Sequence, residues 1–140
     1  MQILLANAKI MRNVDSPNPI STPKWQSVAN ALATEMSTLS VEDLAKQLDC
    51  SKALAAENWL RYQQFHDAKK LPALIAYHGQ AYKHLRAQTL SAEALEFAQQ
   101  HLWITYFLYG LLRPLDGIVP YRMEHCVKLE TTHNRPVNRF

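Results

Sequence analysis

The sequence predicts an α+β fold, mostly helical with a few short buried strands, in a single domain over 1–140. Three observations carry this. Helically spaced apolar residues follow serines placed to cap them at Ser40, Ser51 and Ser91. Short apolar runs, Ile3-Leu-Leu-Ala6 and Ala73-Leu-Ile-Ala-Tyr77 among them, are too brief for helices of ordinary length. A chain of 140 residues with 48% hydrophobic and 19% charged residues has the composition of one globular domain.

Taken in order, Ile3–Ala6 is read as a buried strand, and Asn13–Pro23 as loop, because Pro17, Pro19 and Pro23 exclude regular structure. A helix starts near Lys24 and carries Trp25, Val28, Ala29, Leu32 and Met36 on one stripe. Ser40 caps Val41–Leu48, whose first turn holds Glu42 and Asp43 where the helix dipole favours acids. Asp49-Cys50-Ser51 breaks that helix, and Ser51 caps another bearing Leu54, Ala55, Trp59 and Tyr62 inward. Ala73–Tyr77 is expected as a second buried strand, entered through Pro72 and left at His78-Gly79. A basic helix with Ala81, Tyr82 and Leu85 inside follows, then a Ser91-capped helix through Gln100. The aromatic and β-branched content of Leu102–Leu108 predicts a strand, with a buried helix as the alternative that periodicity leaves open, and Cys126–Glu130 alternates as a late strand.

No apolar run approaches the ~20 residues of a membrane span, so no membrane partner and a cytoplasmic location are expected. Cys50 and Cys126 have no CxxC spacing, and the six histidines form neither HxxxH nor HExxH; no metal and no cofactor are expected. Charge is uneven along the chain. Up to Leu60 there are five basic and six acidic residues, and from Arg61 there are ten and six. A basic second half permits a polyanionic partner.

Arg113-Pro114 stops any helix, so Arg113 sits in an extended turn, and a second proline turn at Pro120 presents Arg122. Two arginines on rigid backbone suggest an anion site, with Asp116 and Glu124 near enough to pair with them; the alternative is that Arg113 and Asp116 simply lock the turn. Such pairing depresses carboxylate pKa values, which argues against Asp116 and Glu124 as general acids. The Val41–Phe65 helix pair has the form of a helix-turn-helix or a helix-hairpin-helix, in which backbone N–H groups near Ser51 and Lys52 receive a phosphate while Asn58 and Arg61 contact DNA from a face away from the apolar stripe. An ordinary helical hairpin is the competing reading. Lys9, at the end of the first strand, stands where cleft rims form.

These residues resemble the YaaA family of peroxide stress response proteins, formerly defined as a domain of unknown function. The resemblance rests on Phe97-Ala-Gln-Gln-His-Leu102, Leu108-Tyr-Gly-Leu-Leu-Arg-Pro-Leu-Asp116 and Pro120-Tyr-Arg122, with Ala8-Lys9, the Ser51/Leu54/Ala55/Asn58/Arg61 pattern, and Gly79, Tyr82 and Leu85 elsewhere. Ala6-Asn7 stand where the family has Ser-Pro, Gln80 where it has Asp, and Tyr106-Phe107 where Ser-Gly is common. The resemblance implies that this is the N-terminal portion of a longer mixed α/β domain with a positively charged cleft and a helix-hairpin-helix. It also implies binding of duplex or branched DNA in oxidative stress and repair. Lys9, Ser51, Lys52, Asn58, Arg61, Lys83, Arg86, Arg113 and Arg122 are then the nucleic-acid-binding residues. The alternative is an enzyme acting on a small anionic substrate between Lys9, Arg113, Asp116 and Arg122; redox handling through histidines and cysteines is a third reading. Oligomeric state is left open.

Overall fold

Ile3–Ala6 forms strand β1 and pairs in parallel with β3 (Leu102–Tyr106), Ile3 opposite Leu102 and Ala6 opposite Thr105, in a computed structural model that describes residues 1–123 and 127–129. The order of this sheet is β1-β3-β4, with β4 at Gly110–Leu112. A smaller antiparallel pair joins β2 (Leu71–Pro72) to β5 (Gly117–Ile118). Six helices complete the described α+β fold: α1 (Gln26–Ser37), α2 (Val41–Leu48), α3 (Lys52–Gln63), α4 (Ala73–Ala76), α5 (Gln80–Leu85) and α6 (Ala92–His101).

The chain forms two compact units. The first comprises Met1–Lys24, Lys69–Tyr106 and Leu111–Pro120, and holds β1, β2, β3, β5 and most of β4 with α4, α5 and α6. Its interior includes Leu71, Leu74, Ile75, Tyr77, Ile104, Leu112 and Ile118, all nearly or fully buried. Ser91 caps α6 as expected, its hydroxyl accepting from Ala94 N. Of Ala73–Tyr77, expected as a strand, Ala73–Ala76 is instead the single turn α4 and Tyr77 is its extended C-cap, with every residue buried. The turn forms because its first donors have acceptors nearby: Ala73 N–H bonds to Asp116 O at 2.9 Å and Leu74 N–H to Pro114 O at 3.0 Å. A buried four-residue run does not reveal its period, so only this distant turn decides between strand and helix. β1 departs from expectation in burial: Leu4 is 68% exposed and Ile3 41%.

The second unit comprises Trp25–Ala68, Phe107–Gly110 and the described residues from Tyr121 onward. Ala29, Leu32, Ala33 and Met36 form the buried stripe of α1; Val28, placed on that stripe by spacing, is 39% exposed. Ser40 and Ser51 cap α2 and α3, accepting from Asp43 N at 3.1 Å and Leu54 N at 3.2 Å. Between these helices Asp49 takes the left-handed conformation (φ 46°) at the C-cap, supplying the reversal that glycine usually provides. The hairpin is tied to the α1 end by Trp59 Nε1 donating to Leu39 O and Gln63 Nε2 to Ser37 O. Phe65, Tyr109 and Tyr121 pack as an aromatic trio, with ring centroids 5.6 to 6.5 Å apart. Gly110 has φ +72°, and a Cβ there would lie 3.2 Å from the Trp25 ring, so both backbone and space favour glycine.

Both ends of the late strand read at Cys126–Glu130 lie outside the described residues, as do Glu124, His125 and His133. In its middle, the Gln47 side chain clasps Lys128, donating to Lys128 O at 3.2 Å and accepting from Lys128 N at 3.1 Å. No helix of the described residues is long and apolar enough to cross a membrane.

Candidate functional site

Within the first unit, the segment after β1 is fastened to the segment around α5. Tyr82 donates its hydroxyl to Ala6 O at 2.8 Å, and burial pushes that hydroxyl's pKa up, so it stays a donor at ordinary pH. A Cβ on Gly79 would come within 2.7 Å of Ala8 Cβ, so this contact requires glycine. The Ala8-Lys9 and Gly79-Tyr82 motifs, far apart in sequence, are therefore two sides of one joint. His78 N–H continues it by donating to Ile10 O at 2.9 Å, and Met11 forms a bridge with Tyr77.

Arg12 completes the joint. Its backbone N–H donates to Ala76 O at 2.9 Å and its Nε to Ile75 O at 3.1 Å, fixing the guanidinium beside His78. The His78 pKa is held below the usual imidazole value by packing around the ring, and further by the positive charges of Arg12 and Lys83. Arg12 and Lys83 thus add positive charge to the surroundings of His78, and exposed Lys9 lies on the same joint. Among the described residues, no ion pair joins Arg12 or Lys83 to a carboxylate. Arg86, exposed and left-handed (φ 47°), ends α5. Arg12 and His78 do not stand out in the sequence, because nothing local announces a pairing across more than sixty positions.

Arg113 and Asp116 build a second, different arrangement in the same unit. Asp116 is 1% exposed, and its carboxylate accepts from Arg113 N at 2.8 Å and from Ser21 Oγ at 2.7 Å. Arg113 Nε lies 3.7 Å away, too long for a direct hydrogen bond. Gln99 closes the knot: its Oε1 accepts from Leu115 N at 2.8 Å and its Nε2 donates to Ser21 Oγ at 3.1 Å. This accounts physically for the Gln99 of the Phe97–Leu102 block and the Arg113–Asp116 turn occurring together. It is the locked turn read from the sequence, with Asp116 consumed by structural bonds.

In the second unit, Lys52 is bonded to Glu42 at 2.7 Å, which raises the lysine pKa and lowers the carboxylate's; both side chains are exposed. Arg61 pairs with Glu57 one helical turn before it. Asn58 is not on the outer face expected for a DNA contact: it is 1% exposed, and its Nδ2 donates to Leu54 O at 2.9 Å. Its spacing from Ala55 and Tyr62, both buried, explains this, since i−3 and i+4 lie on one helical face. Arg122 belongs to this unit too, and its carbonyl accepts from Tyr62 Oη at 2.6 Å. Cys50 is half-buried, and no group of three or more potential metal ligands occurs among the described residues.

A model of the family described as "Peroxide stress protein YaaA" matches residues 1–140. A UPF0246 protein of Bacteroides fragilis is 45% identical over 139 residues, covering 96% of this chain and 54% of its own length. A UPF0246 protein of Bacteroides thetaiotaomicron is 43% identical over 139 residues, with the same coverage of 96% and 54%. One of Cereibacter sphaeroides is 41% identical over 122 residues, covering 86% of this chain and 48% of that protein. The chain spans about half the length of the curated relatives it matches.

Proposed function

The chain belongs to the peroxide stress protein YaaA family, and on that premise we propose that it binds duplex or branched DNA in the oxidative stress response, through its phosphate backbone and without strong sequence preference. The observation that carries this reading is that Arg12, anchored by its bonds to Ile75 O and Ala76 O, and exposed Lys83 have no carboxylate ion pair among the described residues. Cations that no carboxylate of the protein neutralises leave their charge available to a phosphate. Lys9 and Arg86 extend the same basic surface, and Arg113, 42% exposed at its side chain, adds a guanidinium once its turn is locked. Ser51, Lys52 and Arg61 at α3 provide a second phosphate contact, as a helix-hairpin-helix would, and Arg122 a further charge. Asn58 serves that contact from inside, by packing α3 rather than touching DNA.

Binding of this kind releases counterions, so affinity falls steeply with salt, with a slope of about 0.9 per phosphate neutralised on duplex DNA. Fluorescence anisotropy with labelled duplex and four-way-branched DNA, at about 50 and 200 mM salt, tests it. The expected result is binding at low salt that weakens at least tenfold at the higher concentration, on duplexes of unrelated sequence alike. No binding at low salt, or binding indifferent to salt, would overturn the proposal.

A further inference from the structure

β1 carries an apolar side chain at each of its four positions, Ile3, Leu4, Leu5 and Ala6. That pattern belongs to strands covered on both faces, and parallel pairs such as β1 with β3 occur almost only in sheets so covered. Yet β1 is the edge of its sheet among the described residues, and Leu4 is 68% exposed. Beside it, on the face that bears Ile3 and Leu5, lies an apolar groove of about 330 Å³ lined also by Leu85, Phe97 and Leu102. Phe97 is 51% exposed and stacks on His101, and Leu85 is 37% exposed. Both α5 and α6 thus turn large apolar side chains toward an open space beside an unpaired strand edge. A family member that left this surface bare would invite edge-to-edge aggregation.

We infer that the β1 edge and this groove are the docking surface for the part of the family's fold that this chain does not span, a strand from it adding beside β1 and apolar side chains from it filling the groove. The length of the relatives argues for this occupant over a second copy: each matched protein is about twice as long as the matched stretch, and that extra chain has to pack against something. The surface is apolar on the strand and in the groove alike, which suits permanent burial within one fold. The inference does not depend on DNA binding.

Hydrogen–deuterium exchange of the 140-residue chain and of the full-length Bacteroides fragilis relative tests this, with Leu4→Lys and Phe97→Glu introduced here and at the aligned positions of the relative. In this chain the β1 amides that face away from β3 should exchange at least tenfold faster than their counterparts in the relative, the fast limit being a bare edge. The two substitutions should leave the melting temperature of this chain nearly unchanged, since both sites are exposed, and lower that of the relative by about 5 °C or more. Equal exchange in the two proteins, or a relative indifferent to both substitutions, would overturn the inference. So would a dimer of this chain with β1 protected and dissociated by Leu4→Lys, which would assign the surface to a second copy.

Discussion

Lys52 and Arg61 of the α2–α3 hairpin each rest against a carboxylate, whereas Arg12 and Lys83 pair with none among the described residues and help hold the His78 pKa down. Both regions are basic in sequence, and both have an exposed lysine on a helix. What separates them is local neutralisation. A phosphate arriving at Lys52 must compete with Glu42, so the gain there is the difference between two ion pairs at a solvated surface, which is small. A phosphate arriving beside Arg12 or Lys83 displaces no ion-paired carboxylate among the described residues. Counting lysines and arginines along a sequence does not rank these sites, because the count does not show which charges are already matched.

The comparison can be broken at several strengths. The largest effect expected is that of replacing Arg12 with Gln and Lys83 with Glu together, which should weaken duplex binding about 30-fold or more at low salt and lower the salt slope by about two. Circular dichroism of the double variant checks that the fold survives. Next comes the locked turn, whose role is structural: Asp116→Ala leaves Ser21 Oγ and Arg113 N without their acceptor and should cost about 3 kcal/mol in chemical denaturation. If Asp116→Ala instead left stability intact while abolishing binding, the turn would belong to the site.

A smaller effect is expected at His78. Its pKa is depressed, so the unbound fold loses stability as pH falls below 6.5 through the value in the folded state. A bound phosphate reverses the local field and favours the imidazolium. Affinity should thus rise about threefold as pH falls from about 8 to about 6, and His78→Gln should flatten the rise. The smallest effect expected is at the hairpin, where Glu42→Gln releases Lys52 and should tighten binding about twofold at low salt, an effect erased by adding Lys52→Glu.

Much of the hairpin was legible in the sequence. The bounds of α2 and α3 are set by Ser40 and Ser51, whose hydroxyls accept from the amides three residues on, because capping is a local matter. The Arg113–Asp116 turn was legible for a similar reason, as Pro114 restricts its own backbone and that of Arg113. Long-range pairings were not legible. Whether Ala73–Ala76 becomes strand or helix depends on acceptors at Pro114 and Asp116, and the placement of Arg12 beside His78 depends on backbone bonds from Arg12 to Ile75 and Ala76. Asn58 was misplaced for a subtler reason: its polarity suggested an outer face, although its spacing from Ala55 and Tyr62 already put it on the inner one.

If DNA is held chiefly at the basic joint of the first unit, Lys83 must matter more than Lys52. A salt titration of duplex affinity for the parent chain, Lys83→Glu and Lys52→Glu, all three read on one oligonucleotide, decides this. Lys83→Glu should lose about tenfold at low salt and lower the slope by about one, while Lys52→Glu should lose no more than about threefold. A larger loss from Lys52→Glu than from Lys83→Glu would contradict the assignment, and would place the contact on the hairpin.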